Sequence, residues 1–240
     1  MTYGFIIAAG NQTRFNSNVP KALSKLGNKT CLDYTISRLN NVCDIVYIVC
    51  SKEKEDYFID YKNIISIESG LGCGDAVLKA FKKFNFNSND KCFIQWGDSI
   101  LEDRIYTHLK YYSYEDSDIN IACRFEHNPY VKLLSSNFNK HVDIYFSKYN
   151  EVHGNGLHDL SLFYGNPLRI LKYCEIFCNK FFDGNLYKHK HGNEFNFLDI
   201  MNETDIIASV VIINKVKSYS FNTEDEYEHM LKEIKELKWI

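Results

Sequence analysis

The 240-residue chain predicts an α/β domain in three layers around a mostly parallel, mixed central sheet. Three observations carry this expectation. Short apolar runs alternate with segments of helical period, each run stops at a glycine or a polar loop, and no linker, repeat or low-complexity tract divides the chain. Hydrophobic residues make up 45% of the sequence and charged residues 25%, with only three prolines, a globular composition able to bury a sizeable core.

Residues 3–8 predict a buried strand that stops at Ala9-Gly10 before a polar stretch reaching Val19-Pro20. Residues 32–39 predict a helix, 44–50 a second strand, 52–61 another helix, and 63–67 a third strand ending at Ser69-Gly70. Within 75–84, Val77, Leu78 and Phe81 fall on one helical face, and 91–95 form a fourth strand stopped by Gly97-Asp98. Strands separated by helical crossovers run parallel, with helices on both faces of the sheet. Glu102 and Asp103 then open a helix, where negative charge meets the dipole. From about Asp118, strand-like runs at 119–125, 130–134, 142–146 and 160–164 predict mixed sheet packed onto the first, with one helix after Pro167. Further strands follow at 208–213 and 218–221. Thr223 with Glu226 reads as a capping box opening a last helix, whose apolar face is Tyr227, Leu231, Ile234 and Leu237.

The charge balance, 28 Lys+Arg against 31 Asp+Glu, provides no positive field for a nucleic-acid partner. The opening lacks a basic leader and no apolar stretch is long enough to span a bilayer, so a cytoplasmic protein without membrane contact is expected. Eight cysteines with no CxxC pair read as buried reduced thiols; Cys174 and Cys178 share a helix face but lack further zinc ligands. His189 and His191 have no carboxylate or cysteine at ligand spacing and read as part of a solvated basic loop. Trp96, Phe163 and Tyr164 read as core.

Ligands of such sheets bind beyond the carboxyl ends of the strands, which makes loops 9–21, 69–75 and 97–99 the candidate sites. Small residues at Ala8, Ala9 and Gly10, followed by Asn11, let backbone amides approach an anion, and Arg14 and Lys21 can neutralise it. The glycine patterns of a dinucleotide fold and of a P-loop are both absent here. Gly70, Gly72 and Gly74 allow a flat base to lie against the backbone, with Asp75 as helix N-cap.

This order of residues resembles the sugar-1-phosphate nucleotidylyltransferases, their cytidylyltransferase relatives and the MobA-like NTP transferases. Ala8, Ala9, Gly10, Arg14, Pro20 and Lys21 match their Ala-Ala-Gly-x-Gly-x-Arg loop and Pro-Lys, with Gln12 in place of a glycine. Residues 70–76 match the loop that contacts the base, Gly97-Asp98 the Gly-Asp that binds magnesium, and Asn222-Thr223-Glu224-Asp225 the late segment of the second metal contact. Residues 142–148 match a strand whose final lysine, here Lys148, reaches substrate phosphate.

The resemblance implies a single Rossmann-like domain of the nucleotide-diphospho-sugar transferase type over 1–240. Its nucleotide-binding half is about 1–117, its acceptor-binding half about 118–222, and its C-terminal helix 223–240. It implies Mg2+ on Asp98 and Asn222, catalytic Arg14, Lys21 and Lys148, and nucleotide contacts from Ala8, Ala9, Gly10, Asn11, Gly70, Gly72, Gly74 and Asp98. Segments 154–165 and 192–195 fall where acceptor elements lie. The sequence looks most similar to the cytidylyltransferases of capsule phosphoramidate synthesis, which join CTP to L-glutamine phosphate, giving CDP-L-glutamine and pyrophosphate. A sugar 1-phosphate or phosphocholine acceptor, a nucleotide-binding protein without turnover, a nicotinamide-binding dehydrogenase and a homo-oligomer stay open at this point.

Overall fold

The computed structural model describes residues 1–10, 15, 17, 19–68, 70–136, 141–149 and 151–236. In chain order its elements begin with β1 (Thr2–Ile7), β2 (Lys25–Leu26), β3 (Lys29–Thr30), α1 (Cys31–Leu39), β4 (Ile45–Ser51), β5 (Ile64–Ile67) and α2 (Cys73–Phe81). Next come β6 (Lys91–Trp96), β7 (Ser99–Leu101), α3 (Asp103–Tyr111), β8 (Ile119–Glu126), β9 (Val131–Ser136), β10 (His141–Phe146) and β11 (Gly156–Gly165). The chain continues through α4 (Pro167–Phe181), α5 (Asp199–Glu203), β12 (Ala208–Ile212), β13 (Ser218–Ser220) and α6 (Glu224–Glu236).

One nine-stranded sheet runs β10-β9-β11-β6-β1-β4-β5, with β8 also on β11 and β12 on β8. Strands β6, β1, β4 and β5 are mutually parallel, whereas β11 joins β6 antiparallel through Leu162 to Gly165. The second half of the chain therefore extends the first sheet edge to edge rather than packing onto it as a separate sheet.

Alternation along the strands divides the core into two faces. Phe5 and Ile7 of β1, with Cys92 and Ile94 of β6, point toward Val77 and Phe81 of α2 and Ile170 and Phe177 of α4. Ile6 and Phe93 point the other way, toward Leu32 and Leu39 of α1 and Ile105 and Leu109 of α3. These faces form the three layers. A smaller cluster packs Met230 and Ile234 of α6 on Phe15, Cys31, Ile100 and Phe221.

Local chemistry explains the helix starts. Thr30 caps α1, accepting from the Asp33 amide at 3.0 Å while Asp33 accepts from the Thr30 amide at 2.7 Å. Asn166 caps α4 ahead of Pro167, its side chain accepting from the Arg169 amide at 3.1 Å.

Residues 52–61, expected as a helix, instead form a 3-10 turn at Lys52–Phe58 in which only Phe58 is buried, so no apolar stripe supports an α-helix. Gly72, not Asp75, occupies the N-cap of α2; Asp75 sits in the first turn and accepts from the Leu71 amide at 2.9 Å. Thr223 accepts from the Glu226 amide at 3.3 Å, but the Glu226 carboxylate takes the Asn222 amide at 2.5 Å, one residue off the expected box. Leu237 lies outside the described residues. All eight cysteines are free; Cys31, Cys50, Cys92, Cys123 and Cys174 are buried as expected, whereas Cys43, Cys73 and Cys178 are only partly so, and burial pushes the Cys31 thiol up to about 12. Among the described residues, no helix is long and apolar enough to cross a membrane.

Candidate functional site

The parallel register places the ends of β1 and β6 side by side, Ile7 opposite Trp96. The loops that follow are tied together, Gly97 donating its amide to the Ile7 carbonyl at 2.9 Å and Ala8 donating to Val49 at 2.8 Å. A cavity of about 620 Å³ opens at this carboxyl edge. Ala8, Ala9, Gly10, Gly70 and Gly72 contribute to its lining, and Lys21, Asp98, Lys148 and Asn222 enter it from four separate stretches of chain.

Lys21, in the short 3-10 turn Lys21–Leu23, donates to Asp98 at 2.5 Å and to the Phe221 carbonyl at 3.2 Å. One ammonium thus joins the first loop, the end of β6 and the segment that leads into Asn222. Asp98 is 26% exposed in its side chain and faces the cavity. Asp98 and Asn222 present only oxygen donors, one of them charged, on the wall of a cavity large enough for a triphosphate. That set fits magnesium, which takes one or two protein oxygens and fills the rest of its shell with phosphate and water.

Lys148 stands in the 3-10 turn after β10, its ammonium 4.7 Å from the centre of the Tyr149 ring. Burial lowers its pKa, but Tyr149, Tyr130 and Glu194 outweigh that and hold it above the usual lysine value, so it stays charged. Lys54 donates to the Gly10 carbonyl at 2.8 Å and was not singled out in the sequence. Burial, then the Lys21 charge, pulls its pKa down against Glu53. Nothing in a run of alternating Lys and Glu marks one lysine as reaching back to the first loop.

Arg14 and Asn11 lie outside the described residues. Gly74 does not line the cavity. A Cβ at Gly74 would lie 2.5 Å from the Phe195 ring, and one at Gly72, where φ is +102°, would lie 2.4 Å from the Phe195 carbonyl oxygen. These two glycines admit Phe195, and Gly74 donates its amide to that same carbonyl at 2.9 Å. Trp96, expected in the core, is half-buried and takes part in the cavity wall beside Phe163 and Phe197.

The expected acceptor segments supply His158, Asp159, Ser161 and Glu194 to the same cavity. Ser161 has φ +61° at an irregularity in the pairing of β11 with β8, and its amide donates to Asp159 at 2.9 Å. Burial raises the Asp159 carboxyl above the usual range, against the pull of His158. A second cavity of about 600 Å³ shares Ser99, His158, Asp159, Ser161 and Ser220 with the first and adds Arg124 and Glu126.

Within 188–191, Lys188 and Lys190 are exposed as a solvated basic loop requires, but for His189 and His191 that expectation is overturned. The His189 and His191 side chains are each 2% exposed, and both face Asp199, which is wholly buried in α5. The ligand-spacing argument missed Asp199 because α5 follows an irregular stretch with no helical period to announce it.

The model of the MobA-like NTP transferase domain matches residues 4–154, more than half of the chain. The chain belongs to that family. A bifunctional protein GlmU from Buchnera aphidicola subsp. Schizaphis graminum is 34% identical over 142 residues, 55% of this chain and 30% of that protein. The GlmU of Francisella tularensis subsp. novicida is 30% identical over 135 residues, 52% of this chain and 28% of that protein. The chain thus spans less than a third of these curated relatives. Among solved structures, HddC from Yersinia pseudotuberculosis superposes with a TM-score of 0.70 at 20% identity, covering 98% of this chain and all of that one. The inositol-1-phosphate CTP transferase from T. maritima gives 0.70 at 15% identity, covering 98% and 97%. Both share the nucleotide-diphospho-sugar transferase fold seen here.

Proposed function

We propose that this NTP transferase family member is a magnesium-dependent cytidylyltransferase that joins CTP to a small phosphorylated acceptor, with L-glutamine phosphate as the leading candidate. The carrying observation is the convergence of Lys21, Asp98, Lys148 and the 221–222 segment on one cavity at the carboxyl ends of β1 and β6. An acceptor phosphate oxygen attacks the α-phosphorus, and the bond to the departing pyrophosphate breaks. No general base is required, because a phosphate monoester with a second pKa of about 6 is mostly dianionic at neutral pH.

The difficulty is repulsion between two polyanions, and the chain's cations address it. Lys21 exchanges part of its contact with Asp98 for phosphate, and Lys148 holds the acceptor phosphate from the opposite half. Arg14 and Asn11 would complete the loop over the triphosphate, with amides near Ala8, Ala9 and Gly10 accommodating its oxygens and the strand-end loop of Gly70 and Gly72 facing the base. Magnesium on Asp98 and Asn222 supplies charge neutralisation to the triphosphate when bound.

The mixed charge of the acceptor side supports this acceptor class. Asp159 and Glu194 line the cavity with Lys148, and Arg124 and Glu126 line the adjoining one, a wall suited to a ligand with ammonium and carboxylate as well as phosphate. A CTP-using enzyme among the structural neighbours supports the choice of base, while HddC has been crystallised with GMP-PN. A cytoplasmic setting, where nucleoside triphosphates are abundant, goes with this reading, as does use in capsule phosphoramidate synthesis.

The test is a matrix of four nucleoside triphosphates against L-glutamine phosphate, phosphocholine and sugar 1-phosphates, read by pyrophosphate release with Mg2+. CTP with L-glutamine phosphate should give the highest kcat/KM. Turnover confined to a sugar 1-phosphate would replace the acceptor, and nucleotide binding without release at any acceptor would replace catalysis by a binding role.

A further inference from the structure

Beside the cavity, at Phe146 and Tyr149, lies a sealed polar cluster that the transfer reaction does not use. A tight turn pairs His189 with Gly192, the amide of Gly192 donating to the His189 carbonyl at 3.0 Å, and sets the two imidazoles 5.1 Å apart at 82°. Between them stands Asp199. His191 Nδ1 is 2.6 Å from Asp199 Oδ1, and His189 Nδ1 is 3.6 Å from Asp199 Oδ2. The outer nitrogens meet other carboxylates: His191 Nε2 lies 3.1 Å from Glu151 and His189 Nε2 3.1 Å from Glu203.

We propose that His189, His191 and Asp199 bind a divalent transition-metal ion of the zinc class through the two Nδ1 atoms and an Asp199 oxygen. Four observations bear on this. The three ligand atoms lie within 4.8 Å of one another. Asp199 Oδ2 is fully buried, directed into the cluster, and accepts no hydrogen bond among the described residues. Each imidazole can donate its Nε2 proton to a glutamate, the usual outer-shell arrangement of metal-bound histidine, which leaves Nδ1 of each as the unprotonated nitrogen facing Asp199; the long 3.4 Å contact from the His191 amide to His189 Nδ1 would give way to the ion. Last, Asp199 is wholly buried and meets only the two imidazoles, whereas Glu203 also pairs with Lys180 and Glu151 accepts from the Phe146 amide; with neutral imidazoles the Asp199 charge is uncompensated, and a dication supplies what is missing.

The donor set, two nitrogens and one oxygen, suits zinc and its neighbours rather than magnesium. A tetrahedral ion with bonds of about 2.0–2.1 Å holds its ligand atoms about 3.3 Å apart. The 2.6 Å contact to Oδ1 and the 3.6 Å contact to Oδ2 lie on either side of that spacing, and with all three ligand atoms within 4.8 Å of one another the side chains would draw together to seat the ion. Three protein ligands leave a fourth position for water. The ion would pin the 189–195 turn, which delivers Glu194 to the cavity and Phe195 to Gly72 and Gly74.

The site is tested without any transferase assay, by titrating Zn2+ into the chelator-treated full chain against a chromogenic chelator, and by the absorption spectrum with Co2+. About one equivalent should bind tightly, and Co2+ should show the visible bands of a low-coordinate site without a thiolate charge-transfer band. Asp199→Asn and His189→Gln should each weaken zinc by more than about 100-fold, Glu151→Gln by about 10–100-fold, and Asp98→Ala should leave it unchanged. Circular dichroism checks that each variant folds; if Asp199→Asn does not, His189→Gln and the wild-type cobalt spectrum decide. Protonated imidazoles with no zinc uptake, a thiolate band, binding indifferent to His189→Gln, or binding lost with Asp98→Ala would each overturn the proposal.

Discussion

Two polar clusters, each with an aspartate at its centre, sit on either side of the cavity wall, and they are built differently. Lys21 and Asp98 meet at 2.5 Å with side chains 15% and 26% exposed, open to a cavity where either can change partner. His191 and Asp199 meet at 2.6 Å with exposures of 2% and 0%, enclosed by Phe146, Tyr149 and α5. The open pair costs little to hold and little to rearrange, which is what a site that exchanges polyanions needs. The sealed one stays charged only if its charges are matched on the spot, because water is not available to screen them. The proposed transfer site corresponds to the first kind of cluster, and the proposed metal site to the second.

The largest effect that would break this comparison lies at the open pair. Asp98→Ala and Lys21→Ala should each lower kcat/KM for pyrophosphate release by about 10²–10³, with melting temperatures close to wild type. A fall in stability matching the fall in rate would instead make the pair a structural bridge.

Next in size is the contact of Gly72 with the 192–195 segment. In Gly72→Ala the added methyl meets the Phe195 carbonyl at 2.4 Å, on a backbone with φ +102°. A loss of about 1–3 kcal/mol in urea unfolding is expected, with a raised KM because the 192–195 segment is displaced.

A smaller effect sharpens the contrast by testing a purely local rule. Thr30→Ala removes the cap of α1 and should cost about 1 kcal/mol at neutral pH with KM unchanged. Burial tends to raise the Asp33 carboxyl, but hydrogen bonds from Thr30 and Tyr61 outweigh it and hold its pKa below the usual value. Its contribution is therefore present above the unfolded carboxylate pKa of about 3.9 and is lost as pH falls through the lower folded value. The Thr30→Ala deficit should shrink over that acidic window in urea titrations.

The smallest expected change has the opposite sign. Asp159 is raised by burial, so its contribution is complete below about pH 4 and declines as pH climbs through the folded value. Asp159→Asn keeps the oxygen that accepts from Ser161 and should match or exceed wild-type stability at pH 7 while gaining nothing at pH 4.

The parallel half of the sheet could be read in the chain because each strand is a short apolar run ended by a glycine or a polar loop, a pattern carried by adjacent residues. The positions of Lys21 and Asp98 near the strand-end loops were legible for the same reason. The 3-10 turn at Lys52–Phe58 was less so, since its charged residues suit a helix that no apolar face then supports. Gly72 and Gly74 were marked as unusual, but their close approach to Phe195 was not foreseen, because that neighbour belongs to a distant segment.

What the amino-acid sequence determined by itself was the alternation of strands and helices, the places where strands give way to loops, and the residue types available at the strand ends. All of these depend on neighbours a few positions apart. Only the tertiary structure decided that Lys21 bridges Asp98 and the 221 carbonyl, that β11 inserts antiparallel beside β6, and that His189 and His191 close around Asp199 instead of facing water. Burial and charge pairing between remote segments are properties of the packed chain, and no local periodicity encodes them.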